Sequence, residues 1–445
     1  MDTVRSLAVE ILNRIEVKGA FAEPLLDEVL SGNRLNNILD RKLLTQIVYG
    51  TLRLRGRIDW IIALFYRGRL DDLDTDVKNV LRMSVYQLFF TQRLPHFAVC
   101  DEAVKIAKRL NPKTSGLVNA VLRNAIRRTG EIAYPDGKES PALFISVFHS
   151  HPLWLVEKWI RLFGFEHTAM LCHANNEVPP AAVRVNRIKI TREAVVRELG
   201  EEKIEAVPAS YSPDGLILTT PSKPIRETRS YQNGHVQMQD EASQMIARLA
   251  DPRRGDRILD LCAGTGGKTT HLAAIMGNEG HITAIDVSRQ KLAALKKNAE
   301  RLGVSIIHTL PGDAAGSLKI DTQQKFDKIL IDAPCSGLGS LRRNPEIKWR
   351  LTPQDIDKSA ALQRCLIRNA VHYIKDGGRL IYSTCTNLPE ENEDIIEDFL
   401  ETHGGFHRLP LPETIPGNFR DERGHFKTKT HLCGLDGFFG AILGC

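Results

Sequence analysis

The 445-residue chain holds only eight cysteines, and no two of them form a C-x-x-C pair. That excludes a disulfide-stapled scaffold and argues against a zinc site of closely paired thiols. No apolar run approaches the roughly 18 residues that a membrane-spanning helix needs. Asp2, Glu10 and Glu16 interrupt the apolar N-terminus, so it is no secretory signal. Internal repeats and low-complexity tracts are absent. A cytoplasmic protein with reduced thiols, no metal and no membrane partner is expected.

What is present is ordinary globular composition, 42% hydrophobic and 26% charged, with room for two to four domains. The net charge of +6 is uneven. Residues 1–130 hold 21 Lys and Arg against 14 Asp and Glu, and the remainder sums to about −1. A basic module on a near-neutral body suggests a polyanion partner, although such a surplus also serves solubility alone.

Residues 1–130 read as an all-helical bundle. Val4, Leu7, Ala8, Ile11, Leu12 and Ile15 form one apolar stripe at helical spacing. Similar stripes run through 41–66, 77–92 and 98–110, and the last joins Leu117, Val118, Val121, Leu122 and Ala125. Pro135, Gly137, Pro141 and Pro152 mark 131–152 as a linker. Residues 153–230 read as a small α+β domain. Helices are expected over 153–163 and 166–175, a strand over Ala182–Val185, and a helix over 191–199 with Thr191 as N-cap and Gly200 past its end. Two short strands are expected near 203–207 and 215–219. A second linker, 221–235, carries Pro221, Pro224 and Gly234. From 236 to 445, apolar runs at 257–261, 281–285, 304–309, 327–331 and 379–383 alternate with helical segments. That pattern implies a Rossmann-like α/β domain whose parallel sheet is covered on both faces.

The run Asp256-Arg-Ile-Leu-Asp-Leu-Cys-Ala-Gly-Thr-Gly-Gly-Lys268 is a strand that breaks into glycines and then starts a helix. Gly264, Gly266 and Gly267 allow a tight turn and close backbone approach to a ligand. A Walker A loop would need glycine where Cys262 stands, and a dinucleotide fingerprint would need glycine or alanine where Thr269 stands. Acids follow at the other strand ends: Asp286, which suits a ribose hydroxyl, Asp313, which can reach an adenine amino group, and Asp332. This series suits an adenosine-bearing, positively charged cofactor.

Two further strands end in cysteines, one in Asp332-Ala-Pro-Cys335-Ser-Gly and the other in Tyr382-Ser-Thr-Cys385-Thr. As neighbours in a doubly wound sheet, roughly 5 Å apart, they would put two thiols over one cleft at the carboxyl edge, where such folds bind ligands. A thiolate adding to carbon 6 of a cytosine turns carbon 5 into an enamine-like nucleophile, and a second group must then help remove the carbon-5 proton. An ordinary thiol is mostly protonated at neutral pH, so its surroundings must activate it. Pro334 would aim Cys335, and Asp332 could bond the cytosine amino edge. Cys100, Cys172, Cys365, Cys433 and Cys445 are expected to be structural.

These motifs resemble the Sun/Fmu-type bacterial 16S rRNA cytosine-5 methyltransferases of the Sun/NOP family. The likeness extends to Arg343-Asn-Pro-Glu-Ile-Lys-Trp349, Glu391-Asn-Glu, Asp436-Gly-Phe-Phe and Gln239-Asp-Glu-Ala-Ser. Upstream, Tyr49-Gly-Thr-Leu-Arg, Tyr86-Gln-Leu and Gly116-Leu-Val-Asn-Ala-Val-Leu-Arg123 look like a NusB-like RNA-binding domain, and His151-Pro-Leu-Trp-Leu and Arg184-Val-Asn suit the middle domain. The resemblance implies S-adenosylmethionine as cofactor, contacted by Cys262, Ala263, Gly264, Thr265, Gly266, Gly267, Lys268, Asp286, Asp313 and Asp332. It implies Cys385 as nucleophile and Cys335 as the group that assists product release. The implied partner is 16S rRNA rather than DNA, the implied target is the cytosine numbered 967 in the usual rRNA count, and a monomer is expected. Lys268 could approach the cofactor's methionine carboxylate or be a solvated first-turn lysine. Arg342, Arg343 and Lys348 could grip phosphates beside the target base, or lie in a solvated loop. Where the family usually has Ala-Pro, this chain has Gly264-Thr265. A cytosine-5 methyltransferase of tRNA and a non-catalytic ribosome assembly factor are the competing readings.

Overall fold

The computed structural model describes residues 3–32, 34–35, 37–92, 94–219, 223–320 and 325–445; Asp2 and Pro221 lie outside these. The chain forms two compact units, 1–178 with 341–350, and 179–340 with 351–445.

The first unit is helical. Its leading helices are Val4–Lys18, Ala22–Ser31, Ile38–Arg53, Arg55–Phe65, Thr75–Phe90, His96–Leu110 and Ser115–Arg127. Leu7, Ala8, Ile11, Leu12 and Ile15 are buried, as their spacing predicts. Thr3 caps the first helix by accepting from the Ser6 N–H at 3.2 Å. The stripe over 41–66 is two helices rather than one, because the backbone leaves helical geometry at Leu54. Ala22–Ser31 was not anticipated, being too short for a sustained period. Arg82 is buried on Thr75–Phe90 and forks onto Asp59, at 2.7 and 2.8 Å, while reaching Glu16 at 2.8 Å. A buried guanidinium is tolerated only with such partners, and this one pins three helices.

The expected linker 131–152 contains a helix, Pro141–Phe148, whose proline opens its first turn instead of breaking structure. The two helices expected over 153–163 and 166–175 are both present within Leu153–Asn175, separated at Gly164, whose φ of 78° and ψ of 169° are not helical.

The segment 341–350 packs within this unit. Lys348 is 1% exposed, and its Nζ donates to the Arg53 carbonyl and to Asn176 Oδ1, both at 3.0 Å. The Trp349 indole donates to the Leu52 carbonyl at 2.7 Å, and Glu346 accepts from the Ala22 N–H at 2.8 Å. Arg342 is buried and Arg343 half-buried. Neither a phosphate grip nor a solvated loop therefore describes Lys348 and Arg342.

Burial brings the Lys348 pKa down to about 7, with Cys172 opposing and the Arg53 charge adding to the shift. An unfolded lysine titrates near 10.4. Between these values the unfolded chain holds a proton that the folded chain lacks, so stability should rise with pH. Removing the amine in Lys348→Met should flatten the stability–pH profile by roughly 1 kcal/mol per pH unit over pH 7–10, measured by urea unfolding of both proteins.

The second unit carries two sheets. The small one contains β1 (Ala181–Val185), β2 (Ala206–Pro208), β3 (Gly215–Leu218) and β4 (Val236–Met238), in the order β2-β3-β1-β4. β4 pairs antiparallel with β1, with Val185 opposite Val236, so the chain past the second linker returns to this sheet. Thr191 caps Arg192–Glu201 as expected, but Gly200 lies inside the helix, and it is Lys203 just beyond that takes positive φ.

The large sheet comprises β5 (Arg257–Asp260), β6 (His281–Asp286), β7 (Ile307–Pro311), β8 (Phe326–Asp332), β9 (Ile374–Thr384), β10 (His407–Arg408), β11 (Phe426–Lys427) and β12 (Phe439–Gly444). Its order is β10-β12-β9-β8-β5-β6-β7, with β11 also on β12. β7, β6, β5, β8 and β9 run parallel, whereas β12 is antiparallel to β9, β10 and β11. The expected parallel sheet is thus a mixed one. Alternation supplies both faces. Ile258, Leu330, Ile381 and Ile442 pack with Met245, Leu272 and Leu302, while Leu259, Ile329, Leu380 and Tyr382 pack with Leu366, Ile395 and Phe399. Among the described residues, no helix is long and apolar enough to cross a membrane, and no group of His, Cys, Asp or Glu is placed to hold a metal ion.

Candidate active site

The parallel strands deliver the predicted residues to one edge of the sheet. β5 ends at Asp260 and leads into the turn 262–266, from which the helix Gly267–Ile275 starts. Gly264 and Gly266 have φ of 56° and 86°, the left-handed region that favours glycine. A Cβ on Gly266 would lie 2.5 Å from Leu295 Cγ, whereas Gly264 and Gly267 face open space. The turn is therefore packed on one side and bare on the other. The Ala263 N–H donates to the Ile285 carbonyl at 2.8 Å, and Asn298 donates to the carbonyl of exposed Thr265 at 3.2 Å. Burial pushes the Cys262 thiol up, away from thiolate chemistry.

Asp286, at the end of β6, accepts from the Gly264 N–H at 2.9 Å and the Ser288 N–H at 2.8 Å. Asp313 lies beyond β7, exposed, its carboxylate accepting from the Ala315 N–H at 3.0 Å. Asp332, at the end of β8, accepts from Lys268 Nζ at 2.7 Å and from Ser383 Oγ at 2.9 Å. Lys268 is thus a largely buried ion-pair partner, not a solvated lysine. Burial disfavours its charge, but the Asp332 carboxylate, with Cys385 contributing, outweighs that and raises its pKa. The buried Asp260 carboxyl has its pKa raised to about 7 by burial; the Thr269 hydroxyl, 2.7 Å away, opposes the shift, and the charge of Asp332 adds to it.

β8 and β9 pair with Asp332 opposite Ser383. The chain leaves each strand within three residues, and the sulfurs of Cys335 and Cys385 come to 3.4 Å. The Cys385 N–H also points at Cys335 Sγ, at 3.4 Å. All eight cysteines are free thiols. Cys335 is held well above the ordinary thiol pKa, first by its hydrogen bond to Cys385, then by burial and by the charges of Cys385 and Glu391. In the direction this geometry favours, Cys335 remains a thiol that donates to Cys385. Of the cysteines expected to be structural, Cys172 is buried, while Cys365 is exposed on the helix Pro353–Ala370.

Sequence reasoning missed the clamp that holds the two loops. Glu391 is fully buried. Its carboxylate accepts from the Ser336 N–H at 2.8 Å, from Ser336 Oγ, and from Gln363 at 3.2 Å. Ser336 Oγ meets Thr386 Oγ1 at 2.9 Å, and the Tyr382 hydroxyl donates to the Glu391 carbonyl at 2.7 Å. One acid thereby binds the residue after Cys335 to the residue after Cys385. Its place six residues past Cys385 was visible, but its burial was not. Arg184 likewise has a role that is invisible in the sequence. It is fully buried on β1 and donates to the Gly267 carbonyl at 2.7 Å and to Thr270 Oγ1 at 3.0 Å, so the small sheet holds the glycine turn.

A glycine turn bare toward solvent, acids at successive strand ends and a Rossmann-like mixed sheet define an S-adenosylmethionine-dependent methyltransferase. Residues 247–444 match the 16S rRNA methyltransferase RsmB/F family, residues 2–127 the NusB family, and residues 151–225 the RsmF/B-like methyltransferase ferredoxin-like domain. A Bacillus subtilis protein named "Probable ribosomal RNA small subunit methyltransferase B" is 35% identical over 98% of this chain and 97% of its own length. An Escherichia coli O6:K15:H31 ribosomal RNA small subunit methyltransferase B is 33% identical over 89% of this chain and 94% of its own. The crystal structure of PH0851 is 28% identical, covers 99% of this chain and 98% of its own, and superposes with a TM-score of 0.85. NSun6 from Pyrococcus horikoshii with SFG is 25% identical, covers 65% of this chain and 96% of its own, and gives 0.59. The chain belongs to the small-subunit ribosomal RNA methyltransferase B family, within which RNA is the substrate and S-adenosylmethionine the methyl donor.

Replacing Glu391 by alanine would leave the Ser336 N–H without its acceptor in a buried site and remove one of the two acceptors of Gln363. Glu391→Ala should lower stability by roughly 3 kcal/mol in thermal unfolding. It should remove most methyl transfer, while S-adenosylmethionine affinity, measured by calorimetry, stays within a few-fold, because the glycine turn is untouched.

Proposed function

We propose that the enzyme methylates carbon 5 of one cytosine of 16S rRNA, by resemblance the one numbered 967, through a covalent adduct on Cys385. The observation that carries this reading is the 3.4 Å approach of Cys335 and Cys385 at the ends of adjacent strands. Two thiols so close share one negative charge most readily when one stays protonated and donates to the other. Lys268 lies within electrostatic reach of Cys385.

S-adenosylmethionine supplies a methyl group made electrophilic by its sulfonium. The bare side of the turn Cys262–Lys268 fits its amino-acid end, Asp286 its ribose, Asp313 its adenine, and the acid series its positive charge. On this reading Cys385 adds to carbon 6, and the electron pair of the 5,6 double bond moves to carbon 5, which takes the methyl group. Adduct formation takes away the Cys385 hydrogen-bond acceptor, the main cause holding the Cys335 proton in place. Cys335 can then release that proton to solvent and take the proton from carbon 5. The pair left on carbon 5 restores the double bond and expels Cys385 as thiolate. Asp332, fixed by Lys268 and Ser383, is placed to accept from the cytosine amino group. A cytosine in a duplex must leave the stack to reach these atoms.

Bisulfite mapping of total RNA from cells lacking the gene should show one small-subunit rRNA cytosine losing its methyl group; loss at a tRNA position would instead select the tRNA reading. Incubated with unmodified rRNA and S-adenosylmethionine, Cys335→Ala should accumulate a covalent protein–RNA species on denaturing gels. Cys385→Ala should form none, and the reverse pattern would exchange the two roles.

A further inference from the structure

A second concavity opens on the sheet edge that bears Cys385. It is a cleft of about 830 Å³ walled by Pro389, Glu393, Arg420, Lys427, Lys429 and Leu432. Its position follows from strand register. Thr384, which precedes Cys385, lies opposite Phe439 of β12, and Phe439 lies opposite Lys427 of β11. β12 is antiparallel to both neighbours, so β11 runs in the same direction as β9. Two strand spacings put Lys427 roughly 10 Å from Thr384. Lys429 leaves the sheet at the edge where Cys385 does. Pro389 and Glu393, on the wall, lie four and eight residues past Cys385 in the chain.

Charges within the cleft are sorted. Lys427 is committed to Glu393 and, at 3.2 Å, to Asp421; Arg423 is held by Glu397 at 3.0 Å. Asp394 and Glu422 add negative charge near these pairs. Lys429 is exposed, and Arg420 is exposed, with its Nη2 donating to the Leu411 carbonyl at 3.4 Å. Among the described residues these two cations make no ion pair, so they are the ones left to meet an anion. Leu432, 58% exposed, offers an apolar surface beside them. An anionic group with an apolar body, attached to whatever occupies the cysteine site, fits this arrangement.

We infer that the cleft is the subsite for the nucleotide next to the target cytosine, with Lys429 and Arg420 holding its phosphate and Leu432 packing against its sugar and base. The inference rests on the reaction proposed above. A flipped cytosine must be presented by backbone that continues past Cys385, and phosphate contacts set the position of the strand without reading its sequence. Each lost phosphate contact should also reduce the salt dependence of binding by about one unit of the logarithmic slope.

The test uses the full-length enzyme and unmodified small-subunit rRNA transcribed in vitro. Lys429→Ala combined with Arg420→Ala should raise KM for RNA at least tenfold and lower the salt slope by about one. Lys358→Ala, which removes an exposed lysine on a different helix, should change neither. S-adenosylmethionine affinity should match wild type in every variant; an equal fall in it would overturn a subsite that serves RNA alone. Unchanged KM and salt slope in the double variant would also overturn the inference. The wild-type product separates the two proposals. If no 5-methylcytosine forms while the double variant still binds RNA more weakly than wild type, the reaction reading fails and the subsite stands.

Discussion

The close approach of two sulfurs is the constraint on which the rest of this active site depends. It cannot be made by local structure, because Cys335 and Cys385 are 50 residues apart in sequence. It comes from parallel pairing of β8 and β9 in one register, Asp332 opposite Ser383. A slip of one residue would turn every alternate side chain to the other face and part the two loops. The same register aims Ser383 Oγ at Asp332, so one pairing fixes both the thiols and the carboxylate beside them.

Strand pairing alone would leave two short loops free to splay, and the buried polar groups around them are what hold the distance. Glu391 accepts from Ser336 on the Cys335 loop and from Gln363 on a covering helix, and the Ser336 hydroxyl in turn meets that of Thr386 beside Cys385. Gly339 adds a second tie: its N–H donates to the Cys385 carbonyl at 2.9 Å, and a Cβ there would strike the Gly437 carbonyl. Burying a carboxylate is costly unless its lone pairs are filled, and these are. The burial also raises the Glu391 pKa, which marks the desolvation that the network offsets. Arg184 does for the glycine turn what Glu391 does for the cysteine loops. In both cases a fully buried charge is spent on holding backbone in place.

Much of this was legible from the sequence, and the reasons are physical. Glycine at 264 and 266 signals positive φ, and a cysteine just past a β-strand signals the edge of a sheet. Both are local facts about backbone, readable without knowing the neighbours. What escaped was set by partners distant in the chain. Lys348 and Arg342 read as solvent-seeking charges, yet Lys348 is enclosed by the carbonyl of Arg53 and the amide of Asn176. Pro141 read as a linker residue because proline serves a first helical turn as well as a loop. Gly200 read as a helix end because glycine favours that place, but Lys203 takes the left-handed turn instead. The antiparallel strands β10 and β11 were hidden for another reason. β10 and β11 are two residues each, and their pairing with β12 depends on a sheet that has already formed.

The departure at Gly264-Thr265 can now be weighed. A proline at 265 would stiffen the turn through its ring, and its absence raises the entropy that must be lost on ordering the loop. Here hydrogen bonds supply the restraint. The Gly264 N–H is fixed by Asp286, the Thr265 carbonyl by Asn298, and the Gly266 N–H by the Ala263 carbonyl at 3.0 Å. The peptide units 263–264 and 265–266 are thus each tied at both ends. The φ of 56° at Gly264 is also one that alanine adopts only with strain, so this backbone is matched to the residue it carries. The two substitutions belong together: glycine permits the conformation, and the bonds from Asp286 and Asn298 hold it. Asp286 therefore shapes the cofactor turn through one carboxylate oxygen whether or not a ribose is present.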